Sequence, residues 1–322
     1  MNTPEHIRAP QVSVVIPMHN AEHFVTAAIR SVLDPSFPEV EVLVIDDGST
    51  DRSVAEATAI DDPRVTIIQI PPSGGPSRPR NVGIKRARAP FLSLLDSDDL
   101  LKPNKLASSV AALDNCPSAG FAFGDFEKID TDGNVYETSV MYAYPKFRAL
   151  ELTAIGEKWR LVPQSLLSYA LLYEDFIGTS GVVIRTSLAK EIGGFDETLG
   201  NSNDSDLWFR LAHTCDALYS PEVGHSYRVH SESIVHESPI RNAMSRIKAL
   251  RRERDRWRDK QARRQVARLI ADNYAAIGCE ARQQKERWAA TLSFLRAYVV
   301  SRETRWLVGM MVSVLFGPED EA

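Results

Sequence analysis

The chain has 322 residues, 43% of them hydrophobic and 25% charged, with a formal net charge of −5. That composition is ordinary for a soluble globular protein with one large domain and an appendage. Cys116, Cys215 and Cys279 are far apart and odd in number, which excludes a zinc cluster or a disulfide framework and favours a reducing cytosol.

Met1 to Gln11 is polar and lacks an apolar core, so no secretory signal is expected. Val12 to Ile16, ended by Pro17, predicts a first strand. Phe24, Ala28, Ile29 and Val32 recur with helical spacing and predict a helix over 21–33. A second strand over 40–45 runs into Asp46-Asp47-Gly48-Ser49-Thr50-Asp51, followed by a helix over 53–60. A third strand over 65–70 precedes a Pro/Gly/Ser loop at 71–76 and a helix through 81–88. Phe91 to Leu95 is the fourth strand, and it stops at Asp96, Asp98 and Asp99. Strands alternating with short helices predict parallel β-α-β units in a sheet covered on both faces.

The pattern then changes. A helix is expected over 105–113, and strands over 120–128 and 135–141 about an Asp132-Gly133 turn. An interrupted helix is expected over 147–172 and a strand over 181–185. A helix over 187–192 stops at Gly193-Gly194. A helix over 204–212 and short strands over 217–219 and 226–230 follow, and 240–305 reads as helical. Between Arg241 and Arg305 there are 18 Lys and Arg against 7 Asp and Glu, a surplus of 11 positive charges, so the remainder carries −16. Two chemically different regions are expected, with a boundary near Pro239.

Three carboxylates within four positions at a strand end repel one another, and burying them unpaired is costly. A hard divalent cation shared with substrate phosphates relieves that cost, so Asp96 to Asp99 read as a metal–diphosphate site. The other reading is an acidic turn capping the next helix near Pro103. In a parallel sheet the ends of strands one, two and four share an edge, which brings Pro17 to Asn20, Asp46-Asp47 and Asp96 to Asp99 to one crevice. A carboxylate there accepts an imide or amine N–H, or else Asp47 to Asp51 only cap a helix. Arg78, Arg80 and Asn81 at a helix start suit phosphate, or form a solvated basic end. The loop fits neither a dinucleotide-binding glycine fingerprint nor a P-loop.

Together these pieces resemble the family 2 glycosyltransferases, inverting enzymes with the GT-A fold. The resemblance rests on Val-Ser-Val-Val-Ile-Pro-x-x-Asn at 12–20, Val-Ile-Asp-Asp-Gly-Ser-Thr-Asp at 44–51, Arg-Asn-x-Gly at 80–83 and Leu-Asp-Ser-Asp-Asp at 95–99. It continues through Gly-Gly-Phe-Asp-Glu at 193–197 and Asp-x-Asp-Leu-Trp-x-Arg-Leu at 204–211. It implies a mixed, mostly parallel sheet flanked by helices, with a C-terminal helical extension. The implied domains are a tail at 1–11, a catalytic domain at 12–238 and a basic helical region at 239–322. The catalytic domain would divide into a nucleotide-binding half at 12–100 and an acceptor half at 101–238.

The resemblance further implies that Pro17, Asn20, Asp46 and Asp47 line a nucleoside pocket, that Arg80 contacts a diphosphate and that Asp96 faces the ribose or donor sugar. Asp98 would hold Mn²⁺ or Mg²⁺, with Asp99 in support. Asp204 would be the catalytic base, or a helix N-cap, with Asp206 the next candidate; Asn203 stands where the family has Glu. Trp208 stacks on a sugar or packs in the core. His230 reaches the diphosphate or metal, or is structural. The implied partners are a nucleotide-sugar donor, with a UDP-sugar the default, and a glycan or lipid-linked acceptor; no nucleic acid is expected. A nucleotidyltransferase and a non-catalytic nucleotide- or glycan-binding module are the rival readings. The arginine-rich C-terminal helices would either meet anionic lipid or form a solvated pair packed on the catalytic domain. The apolar run from Trp306 to Phe316 has 11 residues, too few to span a bilayer. A cytoplasmic location, peripheral at the inner face of the membrane, is expected.

Overall fold

The computed structural model describes residues 9–200, 202–230 and 239–315. Residues 1–8 of the expected tail, the segment 231–238 before the expected boundary, and Phe316 lie outside the described residues. The chain forms two compact units. One holds residues up to Asp196 together with Leu207–His230, and the other holds Glu197–Asp206 and the chain after His230.

The first unit is built on an 11-stranded sheet. Strands β1 (Val12–Met18), β2 (Val40–Asp46), β3 (Val65–Gln69) and β4 (Phe91–Leu94) run parallel in the order β3-β2-β1-β4. β1, β2 and β4 are buried throughout, which is why their sequences are unbroken apolar runs rather than alternating ones. Helices α1 (Val25–Val32), α2 (Ser53–Thr58) and α3 (Ser77–Arg86) connect them. α3 lies close on the sheet because Gly83 has no side chain: a Cβ there would sit 2.3 Å from Val15 Cγ1.

Past β4 come β5 (Leu100–Leu101), α4 (Lys105–Asn115), β6 (Ala119–Ile129), β7 (Val135–Glu137), α5 (Pro145–Arg148), β8 (Thr153–Ile155), β9 (Trp159–Val162) and α6 (Gln164–Leu171). They are followed by β10 (Val183–Arg185), α7 (Thr186–Glu191), α8 (Asn203–Ala212) and β11 (Asp216–Arg228). The sheet continues from β4 through β10, β6, β11 and β9 to β8, with β10 antiparallel to both β4 and β6 and with β11 parallel to β6. The fold is therefore a mixed, mostly parallel sheet flanked by helices, as expected.

Three local expectations need correction. The interrupted helix over 147–172 is a turn of helix, the β8–β9 hairpin and α6; Gly156, at φ +63°, makes the hairpin turn. The two short strands over 217–230 are one strand, β11, with bulges between Ser220 and His225. Pro221 and Gly224 fall in that bulged stretch and break the apolar pattern. The acidic turn does not cap α4, whose N-cap residue is Asn104 in a left-handed conformation, with Leu100–Leu101 pairing onto β11 in between.

The second unit contains α9 (Pro239–Arg256), α10 (Lys260–Gln283), α11 (Arg287–Ser301) and α12 (Arg305–Leu315). The Asp259 carboxylate caps α10, accepting from the Ala262 N–H at 2.6 Å. Phe294 of α11 is the knob of this packing, seated against Gly278 of α10 and Gly309 of α12, where any Cβ would approach its ring to within 3 Å. No helix among the described residues is long and apolar enough to cross a membrane.

Candidate active site

β1 and β2 pair in register from Val12 with Val40 to Met18 with Asp46, and Val15 of β1 lies opposite Leu94 of β4. The Leu95 N–H donates to the Val15 carbonyl at 3.1 Å, and the Asp47 N–H to the Met18 carbonyl at 2.8 Å. Pro17, Asp46 and Asp96 therefore come to one edge because parallel register leaves the three strand ends level.

The acidic turn is held from several directions. Arg80, 4% exposed, leaves α3 to donate from Nη2 to Asp96 Oδ1 at 2.5 Å. The Arg80 guanidinium also lies 5.0 Å over the Phe195 ring. The Asp99 carboxylate is buried and accepts the Ser180 hydroxyl at 2.5 Å and the Arg228 N–H at 2.9 Å. Ser180 Oγ in turn accepts the Asp96 N–H at 3.1 Å. The Arg228 side chain donates from Nε to the Asp98 carbonyl at 2.8 Å and from Nη1 to the carbonyls of Asp130 and Thr131. His230 Nε2 lies 2.9 Å from Asp98 Oδ2, and its ring packs on Phe24 at 5.2 Å.

Of the basic residues at the start of α3, Arg80 is thus buried and paired while Arg78 is exposed. Asn81 faces elsewhere: its side-chain amide makes a two-way bond with the Phe195 backbone, at 2.9 and 2.8 Å, and so ties α3 to the Gly193-Gly194-Phe195 turn. Asp46 accepts the Ser49 N–H at 3.1 Å. Asp47 accepts both the N–H and the hydroxyl of Ser73, at 2.9 and 2.8 Å. Asn20, at φ +48°, accepts the Thr50 N–H at 2.9 Å. The residue bonded to the start of α2 is Asp51, which accepts the Ser53 N–H at 2.9 Å.

α8 begins at Asn203, so Asp204 and Asp206 stand in its first turn and Asp204 is not its N-cap. Asp204 Oδ1 accepts the Ser205 N–H at 2.7 Å, and Asn203 Nδ2 donates to the Gly200 carbonyl at 2.7 Å. Asp206 is buried. Trp208 is fully buried, stacked on Phe121 with centroids 6.3 Å apart; it is a core residue and not a sugar platform.

Ser180, Arg228 and Ser73 were not singled out from the sequence, and Phe195 stood in the Gly-Gly-Phe-Asp-Glu motif without a role. Of the other three, Arg228 carried a hint, two residues before His230.

Burial, and next the charge of Asp96, raise the Asp98 pKa above the ordinary carboxylate range, with His230 opposing. Burial and the charges of Asp98 and Asp96 raise Asp99 well above it, against the hydrogen bonds from Ser180 and Arg228. Both shifts come first from the cost of burying a charged carboxylate and next from the neighbouring carboxylates. Asp98 with His230 is a donor set of one carboxylate oxygen and one imidazole nitrogen, and among the described residues no group of three His, Cys, Asp or Glu forms a complete cage. That set fits a divalent cation whose remaining ligands are phosphate oxygens and water.

The model of the family described as "Glycosyl transferase family 2" matches residues 13–180, more than half of the chain. The chain belongs to glycosyl transferase family 2. The matched stretch contains Asp46, Asp47, Arg80 and the acidic turn, while Asp204 and His230 lie beyond it. An uncharacterized glycosyltransferase of Rickettsia felis is 28% identical over 232 residues, 71% of this family 2 chain and 36% of that protein. The chain thus spans about a third of the length of that relative. The succinoglycan biosynthesis protein ExoO of Rhizobium meliloti is 35% identical over 133 residues, 41% of this chain and 38% of ExoO. Among solved structures, S. aureus TarS 1-349 in complex with UDP-GlcNAc superposes with TM-score 0.62 at 18% identity, over 94% of this chain and 85% of that one. The mannosyltransferase PcManGT of Pyrobaculum calidifontis, in complex with GDP-Man and Mn²⁺, gives TM-score 0.57 at 17% identity, over 97% and 86%. At these identities the two structures show the shared GT-A fold.

Proposed function

We propose that this chain transfers a sugar from a nucleotide-sugar to a hydroxyl of a glycan or lipid-linked acceptor, with inversion and with Mn²⁺ or Mg²⁺, in the synthesis of cell-surface polysaccharide. The carrying observation is the acidic turn at the shared edge of β1, β2 and β4, with Arg80 buried against Asp96 and His230 against Asp98. Support for a nucleotide donor and a cation comes from the UDP-GlcNAc bound to TarS and the GDP-Man and Mn²⁺ bound to PcManGT. A UDP-sugar is the default donor. The ExoO relative supports a polysaccharide product.

In this reading Pro17, Asn20, Asp46 and Asp47 line the nucleoside end, Arg80 contacts the diphosphate and Asp96 orients the ribose or donor sugar. Asp98 and His230 hold the cation, and buried Asp99 fixes the turn from beneath through Ser180 and Arg228. When bound, the cation supplies positive charge against the departing diphosphate. The acceptor oxygen forms its bond to the anomeric carbon as the bond from that carbon to the diphosphate oxygen breaks. The bonding pair leaves with the nucleoside diphosphate, and the hydroxyl proton passes to the Asp204 carboxylate. Asp204 takes this role from its place in the family-like segment, with Asp206 next in line.

The test is donor turnover with Mn²⁺ and candidate UDP-, GDP- and dTDP-sugars. Release of free sugar and nucleoside diphosphate is expected. Release of sugar 1-phosphate from the donor, or of pyrophosphate when a nucleoside triphosphate is supplied with a sugar phosphate, would mark a nucleotidyltransferase, and tight donor binding without turnover a binding module. The reading extends to peripheral contact of the C-terminal helices with an anionic membrane.

A further inference from the structure

α11 is apolar on two opposite faces. Ala290, Phe294 and Ala297 pack inward. Trp288, Leu292, Leu295 and Val299 recur at intervals of four, three and four, which at 100° per residue puts them on one outward stripe. All four are exposed, Trp288 by 80%. α12, which packs beside α11, carries further exposed apolar residues, Val308 at 62% and Met311 at 54% exposure. A helix that is apolar all round is ordinarily buried on every side, and a contiguous exposed apolar patch marks an interaction surface.

The charges beside the stripe indicate what covers it. Arg302 lies in the α11–α12 connection, three residues after Val299, Arg305 opens α12 three residues before Val308, and with Arg268 they line a cleft of about 580 Å³. Glu303 and Asp272 pair with Arg268 and Arg305: Glu303 meets Arg268 at 2.7 Å and Arg305 at 2.8 Å, and Asp272 meets Arg305 at 3.0 Å. Arg302, exposed at a left-handed helix end, carries a further positive charge. An apolar stripe edged by arginines matches acyl chains topped by phosphates. A second copy of this chain fits less well, because pairing through the stripe brings together two regions that each carry the surplus of 11 positive charges.

We propose that the outward face of α11 and α12 docks this chain on an anionic lipid surface. Trp288, Leu292, Leu295 and Met311 enter the acyl boundary, and Arg302 meets headgroup phosphates, with Arg268 and Arg305 held in the same cleft by Glu303 and Asp272. The proposal rests on the peripheral-membrane reading above for its kind of partner, and it is independent of the transferase chemistry.

The experiment is cosedimentation of the full chain with vesicles of phosphatidylcholine alone or with 30% phosphatidylglycerol (about one lipid in three, enough to set a negative surface potential). The expected result is binding to the anionic vesicles only, with a blue shift of tryptophan emission that is absent in Trp288→Phe. Paired Leu292→Ser and Val299→Ser should reduce binding at least about tenfold, and Arg302→Gln about fivefold, near 1 kcal/mol per surface arginine. All these residues are exposed, and unchanged melting temperatures verify that the variants fold. Absence of wild-type binding to anionic vesicles at low salt would overturn the membrane reading itself. Full binding by Leu292→Ser/Val299→Ser would overturn this face while leaving membrane contact standing. Concentration-dependent dimers in light scattering, abolished by the same substitutions, would assign the stripe to a second copy and overturn the proposal.

Discussion

Asp99 is the buried member of a carboxylate group at the shared edge of β1, β2 and β4, and each of its oxygens is used by a group distant in sequence. Ser180 lies 81 residues from Asp99, and Arg228 lies 129 from it. The outer carboxylates were legible because three acids crowded at a strand end is a local pattern. Ser180 and Arg228 were not, because a hydroxyl and a guanidinium gain meaning only once β10 and β11 have brought them to the turn. Asp204 lies within the first turn of α8, so Asp204→Asn removes one charge favourable to the helix dipole, about 0.3–1 kcal/mol. The expected outcome is a turnover number lower by about 10²–10⁴, a donor dissociation constant nearly unchanged and a small loss of melting temperature. Retention of most activity on the true acceptor would move the base to Asp206 or elsewhere. His225 is a second residue with a measurable signature. It is buried, stacked on Phe126 at 4.8 Å, and flanked by Gly178 and Gly181. Burial, and next the Lys105 cation, push its pKa down to about 3. The unfolded chain then binds the proton that the folded chain refuses, so stability is complete above the ordinary histidine value and falls as pH drops from about 6.5 towards 3. His225→Asn should lose less melting temperature than wild type between pH 7 and pH 5. Equal losses would exclude His225 as a source of acid sensitivity.

At the scale of elements, β1, β2 and β4 were readable because strands buried on both faces are short apolar runs between turn residues. β8, β9 and the length of β11 were not, since an edge hairpin and a bulged strand carry no clean period. The link between α3 and the sheet is a matter of one missing methyl group. Gly83→Ala would press a Cβ into Val15, and overpacking of this kind costs about 1–3 kcal/mol. A lower denaturant midpoint with unchanged slope is expected, partly restored by adding Val15→Ala. An unchanged midpoint for Gly83→Ala would show that α3 is free to move off β1. Because α3 carries Arg80, the single variant should also weaken donor binding.

For the whole molecule, the charge asymmetry matches the architecture: the acidic turn lies in the first unit, and the surplus of 11 positive charges lies in 241–305, almost all of it helical. Placement of the family motifs in one fold was legible, while the two-faced α11 was not, since an apolar outer stripe and an apolar inner stripe cancel in the pattern. The central claim is that the acidic turn binds a nucleotide-sugar together with a cation through Asp98. Its most direct measurement is UDP titration calorimetry with and without Mn²⁺, alongside turnover, for wild type and Asp98→Asn. Wild type should show Mn²⁺-dependent UDP binding and turnover, with both lost in excess chelator, and Asp98→Asn should be folded, without turnover and with a UDP affinity that no longer responds to Mn²⁺. Wild-type turnover in Asp98→Asn, or in wild type under excess chelator, would contradict that claim.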